Sequence, residues 1–595
     1  VTQVLVAYFV FLGLSAFVSR LFISRYHTEH IISLIFTMIV LYVFGCVQQL
    51  GVGIKVVIAC AVIGGGLSLW RLLKGGEGRF ALLRQAVELA IFFAIALIIS
   101  WGAEYWVWDE FSHWGAEVEF LSITGNLPMA KESLVFPNYI PGITLLRYFA
   151  TTLLDGSGVS ASYFMTWLFS LACLYCVAYS QSVSKWLVTL LVIFFTYLAL
   201  FQSLVLTLLV DPLQALLFLC ALRFARETDN ESFWITLFSV AGLVLLKHVG
   251  IILAVFVCAY FVANRYLIAK QDLKSTLIKG CVLFVPAVAI YASWEIYVAA
   301  YDMVIKFRGP SVLFMGPGFV SNTASGIHHV LTNLFPHANF LAPAYPLAIL
   351  TPGIPLWEFI CLMTGFGWLV NFSTKTDKKS AALAFALLLL TGVGYLFFLA
   401  YVTVASGWFN DVQSFSRYFL VVFFATFLLL FLVARENLSI VRGLLIAIAM
   451  AALSYVVAPP MESIFVQSKR PSVPLNEEYR IKAAQLKKYA TGTELILYID
   501  GKDSSFGYFM FRQKTLPLRY MSYNQTYFIH QSDSEIQDRL NLFRKRLCRF
   551  DYVYADNSSE EFWKRNASVF DIPGGHVYKV TRVDAQYCSA TLLEK

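Results

Sequence analysis

The sequence predicts a polytopic α-helical membrane protein that carries a C-terminal α/β domain outside the bilayer. Three observations predict it. Of the 595 residues, 58% are hydrophobic and only 14% are charged, whereas a soluble globular chain carries about 25% charged residues. Apolar runs close to the roughly 20 residues that span a bilayer recur along most of the length. After Pro459-Pro460 the composition turns charged and aromatic, and the apolar runs stop.

In chain order, about 14 spans are expected, at residues 4–17, 31–50, 56–70, 86–101, 161–180, 186–208, 212–225, 233–246, 250–262, 280–299, 342–370, 381–404, 418–433 and 438–457. No basic residue precedes the first run and no small-residue cleavage site follows it, so it is read as a retained helix. The runs 212–225 and 233–246 are short, and such helices end within the bilayer depth or line a polar cavity. Lys and Arg concentrate in one set of alternate loops, with Arg20, Arg71, Lys74, Arg84, Lys270 and Lys274 among them. The positive-inside rule puts that set in the cytoplasm. Both termini, the 102–160 loop and the C-terminal domain then lie outside, as in a protein of a bacterial inner membrane. This bias holds only if residues 140–154 do not cross. They are apolar on one side with Arg147 on the other, so an interfacial helix on the outer surface is expected.

The chain is accordingly divided into additional N-terminal membrane helices (1–84), a membrane core (85–458) with the outer loop 102–160, and the outer domain (459–595). In the last, residues 494–500, 550–555 and 576–582 alternate as strands do, and 476–491, 534–547 and 559–566 read as helices. The domain holds Cys548 and Cys588, the only cysteines beyond the spans. A disulfide between them is expected in an oxidising compartment, two free thiols being the alternative. The net charge of +8 resides in loops and indicates no nucleic-acid partner. No G-x-x-x-x-G-K-[ST] and no G-x-G-x-x-G after a strand occurs, so direct use of ATP or a dinucleotide is not indicated.

The polar residues expected on the outer side form a sequence of features. Asp109-Glu110 lies where the run 86–101 gives way to Trp-rich sequence, with His113 and Glu117 following. Asp211 sits at one outer junction and Lys247-His248 at another. The loop 301–341 carries Arg308, and Arg417 precedes Tyr418. A carboxylate able to take a proton, with cations able to hold a phosphate leaving group, is the inventory for group transfer from a phosphate ester.

The acidic pair is followed by G-N-L-P and F-P-N-Y-I-P-G-I-T-L-L within residues 125–146, then D-P-L-Q-A (211–215), L-L-K-H-V-G (245–250), S-R-Y (416–418) and an outer domain. This order resembles the GT-C class of membrane glycosyltransferases, which use polyprenyl-phosphate-linked sugars. The resemblance covers most of the chain from about residue 86 onward, the first three spans being an addition. It implies that Asp109 is a general base on an acceptor hydroxyl, with Glu110 beside it, and that the sugar is transferred with inversion. It implies that Arg417, Lys247 and Arg308 offset charge on the donor phosphate. The acceptor would be a surface glycan, a glycolipid or a protein. Asp211 would orient Lys247 or the acceptor, or join His113 and Glu117 as metal candidates, so a divalent ion is left open.

Each residue has a structural competitor. Acidic residues favour helix starts, which could account for Asp109-Glu110. Asp109, His113 and Glu117 at i, i+4 and i+8 could share a metal-binding face, but chance spacing favours a solvated one. Asp211 before Pro212 fits a helix cap, Lys247 fits interfacial snorkelling and Arg308 fits an ordinary loop charge. Two other function classes compete: a transporter or flippase of a lipid-linked or polar solute, and a polymerase or ligase of lipid-linked oligosaccharides. Against transport stand few ionisable residues within the spans (Glu295 and Glu358 are the clearest) and no evident inverted repeat.

Overall fold

The computed structural model describes residues 2–22, 27–74, 78–154, 158–180, 182–303, 328, 364–365, 378–406, 412–457, 472–492, 494–500, 505–520, 546–556, 560–583 and 588–594. The membrane helices are α1 (Thr2–Phe22), α2 (Glu29–Cys46), α3 (Leu50–Lys74) and α4 (Gly78–Ser100). After the short α5 (Gly115–Thr124) come α6 (Gly142–Leu154), α7 (Gly158–Ala178), α8 (Val183–Phe201), α9 (Asp211–Arg226), α10 (Asn230–Leu246), α11 (Gly250–Ala263) and α12 (Leu273–Ala300). They are followed by α13 (Lys378–Ser406), α14 (Val412–Ala434) and α15 (Ile440–Val457). Among the described residues, 10 helices are long and apolar enough to cross a membrane. Val62, Leu73, Val285 and Leu390 are large apolar side chains left exposed on them, the surface that lipid covers. The chain is a helical multi-pass membrane protein. Every predicted span falls on one of these helices except 342–370, which lies outside the described residues but for 364–365.

The chain divides into two compact units. The first comprises Val1–Ala103, Tyr139–Ala299 and Lys306–Gln467. In it α9 is buried along nearly its whole length. Its one buried guanidinium, Arg223, donates to the carbonyls of Cys176, Val177 and Tyr179, satisfying the last turn of α7. Helix α1 packs on α3 through glycine: a Cβ at Gly64 would lie 2.1 Å from the Gly13 carbonyl oxygen. Close backbone approach of this kind is how membrane helices gain packing contacts where lipid is as apolar as leucine.

Residues 140–154 do not form the surface helix that the sequence predicts. Helix α6 packs against α7 and α2, and Arg147 is fully buried. Its Nε donates to Thr166 Oγ1 (3.1 Å) and its Nη2 to the Leu208 carbonyl (2.8 Å). These bonds are what allow the charged head to sit inside. A charge read as facing water is instead an internal tie between α6, α7 and the segment before α9.

The second unit comprises Glu104–Asn138, Ala300–Ile305 and Ser468–Lys595. The domain division therefore differs from the one expected: most of the loop assigned to the membrane core groups with the C-terminal residues. This unit holds α5, α16 (Ser472–Lys487), β1 (Leu495–Asp500), α17 (Ser505–Lys514), β2 (Arg519–Tyr520), β3 (Tyr552–Asp556), α18 (Glu560–Arg565), β4 (Val577–Arg582) and β5 (Cys588–Glu594). The sheet order is β2-β1-β3-β4-β5, parallel from β2 to β3 and antiparallel from β3 to β5. Leu497, Val553, Phe562, Phe570 and Tyr578 fill one core. Strands 494–500, 550–555 and 576–582 are matched within a residue or two, while β2, β5 and α17 were not anticipated. The helix predicted at 534–547 lies outside the described residues except at its end.

The loop is held to this unit by specific contacts. Arg512 Nη2 donates to the Glu132 carbonyl (2.7 Å), as does the Tyr520 amide (3.2 Å). Trp108 meets Phe509 edge-on at 4.6 Å, and Phe111 meets Phe506 at 5.4 Å. The structure joins Cys548 and Cys588 in a disulfide, with the Cα atoms 5.3 Å apart.

Candidate functional site

Helix α9 opens with Asp211-Pro212, the proline sitting where the missing amide costs no hydrogen bond. Helix α10 starts on an Asp229 cap, whose side chain accepts from the Ser232 amide, and ends at Leu246. Lys247 is then extended, and α11 begins at once with Gly250. A Cβ at Gly250 would lie 1.9 Å from the Leu243 carbonyl oxygen, so only glycine permits so abrupt a break. Arg417 lies in the second turn of α14.

These three elements bring three charged side chains together. Asp211 is buried, and its two carboxylate oxygens are used separately. Lys247 Nζ lies 2.8 Å from Oδ1 and Arg417 Nε lies 3.2 Å from Oδ2. The Tyr418 ring lies beneath both cations, 4.1 Å from Lys247 Nζ and 5.1 Å from the Arg417 guanidinium carbon. Arg417 Nη2 also donates to the Tyr418 hydroxyl (3.2 Å). Among the described residues, one carboxylate meets two cations here, a formal charge of +1. The side chains of Lys247 and Arg417 keep 16% and 15% exposure, so the excess is reachable by an anion. The helix-cap reading of Asp211 gives way, because its carboxylate is turned to the cations. Beside the node, His248 Nε2 lies 3.8 Å from Glu295 Oε1.

In the other unit the acidic pair takes two different environments. Glu110 is fully buried, and its Oε2 accepts from the amides of Trp106 (2.8 Å) and Val107 (3.1 Å). This is a structural tie at the start of a π-helical turn, Glu110–Trp114. Asp109 precedes that turn and is 9% exposed. His113 accepts or donates at Nδ1 with Ser112 Oγ (2.6 Å) and stands among Trp108, Trp114 and Phe136. Both His113 and Glu117 are 5% exposed, which corrects the solvated-face reading. The π turn also breaks the i, i+4, i+8 register that would have aligned them with Asp109. Among the described residues, the one group of three placed to share a metal ion is Glu29, His30 and Glu88, so Asp109, His113 and Glu117 do not form one. Arg308 lies outside the described residues.

The sequence reading overlooked Glu88, although it falls within a predicted span. It also overlooked Glu29 and His30 at the start of α2. The signal was present: a carboxylate four residues after Arg84 inside an apolar run is costly unless paired.

No family model matches the chain, and no curated protein does. Among solved structures, the chain is similar to ArnT from Cupriavidus metallidurans, crystallised with undecaprenyl phosphate, at 12% identity and a TM-score of 0.35. The match covers 87% of this chain and 98% of that one. At that score the two need not share a fold.

Proposed function

We propose that the protein is an inverting glycosyltransferase that moves a sugar from a polyprenyl-phosphate donor to a glycan, lipid or protein acceptor at the outer face of the membrane. The observation that carries this reading is the Asp211–Lys247–Arg417 node. It is a preorganised cationic site, set among membrane helices, in which two cations meet one carboxylate among the described residues. The ordered motifs around the same residues, which resemble those of the GT-C class, support it.

In this reading Asp109 takes the proton from the acceptor hydroxyl. The acceptor oxygen attacks the anomeric carbon on the face opposite the phosphate. The bond from that carbon to the phosphate oxygen breaks, and the electron pair leaves on the polyprenyl phosphate. Lys247 and Arg417 hold that dianion, the planar guanidinium being suited to two phosphate oxygens. Asp211 positions both cations and keeps them from collapsing onto other acceptors. Glu110 keeps the loop start in shape.

Two sets of variants test the reading. Arg417→Gln and Lys247→Gln should each weaken binding of polyprenyl phosphate to the purified protein in nanodiscs by roughly 10–100-fold, the range for one charged hydrogen bond. Asp109→Asn should leave that binding intact and lower release of polyprenyl phosphate from the lipid-linked sugar by about 10²–10⁴-fold. Wild-type turnover in Asp109→Asn would remove the assigned base. Unchanged lipid-phosphate binding in both cation variants would remove the assigned site.

The transport reading draws some support from the charges found inside the bundle. Arg147, however, is bonded to a backbone carbonyl in the segment before α9, and Arg223 to carbonyls at the end of α7. Groups so committed hold helices together and do not form a relay.

A further inference from the structure

A second polar centre lies in the first unit and shares no residue with the Asp211 node. It is built from Glu29 and His30 on the first turn of α2, Arg84 and Glu88 on α4, and Tyr175 on α7. The side chains of Glu29, His30 and Glu88 are 0%, 4% and 10% exposed.

Two serines stand on the Nδ1 side of His30. Ser33 Oγ donates its one proton to the His30 carbonyl (2.7 Å). Ser15 Oγ lies 3.3 Å from Ser33 Oγ and 2.9 Å from His30 Nδ1. With Nδ1 protonated, Ser15 accepts from Nδ1–H and its own proton faces Ser33; with Nδ1 bare, Ser15 donates to it and Nε2–H faces Glu88. A metal ion at Nε2 selects the first of these states, with the imidazole lone pair on Nε2. That atom and Glu88 Oε2 are both buried and lack a hydrogen-bond partner, and they face each other across 3.6 Å.

In that state a lone pair and an anionic oxygen face each other, an arrangement that a cation between them stabilises. The separation exceeds the 2.7–3.2 Å of a good hydrogen bond. It is close to the span of about 3.4 Å that nitrogen and oxygen ligands make across a tetrahedral ion with bonds of about 2.1 Å. Glu29 completes the set: one ligand atom from each of Glu29, His30 and Glu88 lies within 4.8 Å of the others. The remaining oxygen of Glu88 is held by His27 Nδ1 (3.0 Å) and the Tyr175 hydroxyl, which aims Oε2 at His30. Arg84 donates to Glu29 (2.8 Å) and to His27 Nε2 (3.0 Å), and its Nε lies 3.4 Å from Glu88 Oε1, so among the described residues two carboxylates stand against one permanent cation. The formal charge of the centre is −1 when the imidazoles are neutral, and a divalent ion reverses that deficit.

We propose that Glu29, His30 and Glu88 bind a divalent transition-metal ion of the zinc class, which pins α2 to α4. Ser15 positions His30 as an outer partner of the ligand, the usual arrangement for metal-bound imidazole. Arg84 competes with the ion for Glu29.

The test uses the full-length protein in detergent, stripped with chelator and titrated with Co²⁺ alone and then Zn²⁺. Wild type should bind about one equivalent of Co²⁺ with the intense visible absorption of a four-coordinate site, and Zn²⁺ should displace it. His30→Gln and Glu88→Gln should lose the band. Ser15→Ala should weaken binding by about 10–100-fold, the usual effect of removing an outer partner, and it serves if the ligand variants fail to fold. Arg84→Gln should tighten binding. Wild type that takes up no stoichiometric metal overturns the proposal. So does metal uptake equal in wild type, His30→Gln and Glu88→Gln, or uptake indifferent to Ser15→Ala. A centre that exchanges only protons is one of these overturning results.

Discussion

Single residues here gain their meaning from what surrounds them after folding. Glu110 and Asp109 are adjacent and chemically alike. One carboxylate is consumed by two backbone amides, while the other heads a helical turn, so only Asp109 is assigned chemistry. Glu119, further along in α5, shows a different balance. Burial holds its carboxyl above the usual range, while Lys514, the Gln513 amide and Lys487 pull the other way. In the unfolded chain it ionises near 4.5. Between that value and its raised value in the fold, the native state holds a proton that the unfolded state has released. Stability therefore falls as pH rises through that window. Glu119→Gln should flatten this slope and leave the variant the more stable of the two at neutral pH. Thermal unfolding of the full chain from about pH 5 to pH 8, read by footprinting at α5, checks it. A steeper slope in Glu119→Gln than in wild type would show that the lysines outweigh burial.

At the scale of elements, what was legible in the sequence is what local pattern encodes. A membrane helix announces itself by an unbroken apolar run, and α1 to α4 were visible for that reason. The position of Asp211, Lys247 and Arg417 at helix starts and ends was visible too, because charge interrupts such runs. Their meeting was implied only through the family resemblance and not by local pattern, since it depends on a glycine break at Gly250 and on α14 packing beside α9. Arg147 misled for a related reason: an arginine on one face of a short apolar helix signals a wet face, unless a carbonyl and a hydroxyl on other elements await it. The strand β2 is two residues long and carries no periodicity to detect. Helix contacts make a sharp prediction from neighbouring glycines of α3. A Cβ at Gly64 would meet the Gly13 carbonyl at 2.1 Å, whereas at Gly65 it would meet nothing within 4 Å. Gly64→Ala should push α1 from α3 and destabilise by about 1–3 kcal/mol, as overpacking does. Gly65→Ala should be neutral or stabilising by up to about 1 kcal/mol through helix propensity. Thermal unfolding of the two variants side by side decides it, and equal effects would mean that the two helices do not pack through Gly64.

For the whole molecule the instructive boundary is the one between the two units. Composition marks the end of the apolar runs near Pro459-Pro460, but it gives no sign that residues 104–138 group with the C-terminal sheet. That grouping rests on contacts across long stretches of chain, such as Arg512 to the Glu132 carbonyl (380 positions apart), and long-range pairing leaves no trace in local pattern. The second unit has a mixed sheet whose strand β5 lies at one edge and carries Cys588. The disulfide to Cys548 closes a loop with a sequence separation of 40. On a chain-entropy account, closing such a loop stabilises by roughly 2–4 kcal/mol. The loop runs from β5 back to the turn before β3, so the bridge holds the antiparallel half of the sheet together and has no counterpart among the described membrane helices. Reduction should therefore loosen the second unit and leave the first as it was. Amide exchange of the native full-length protein, measured with and without reductant, should rise across β3, β4 and β5 and stay unchanged in α7, α9 and α14. Cys588→Ser should reproduce the reduced pattern without reductant. If alkylation finds both thiols free in unreduced protein from its native membrane, the bridge is absent. Exchange rising equally in α9 would mean that the two units unfold as one.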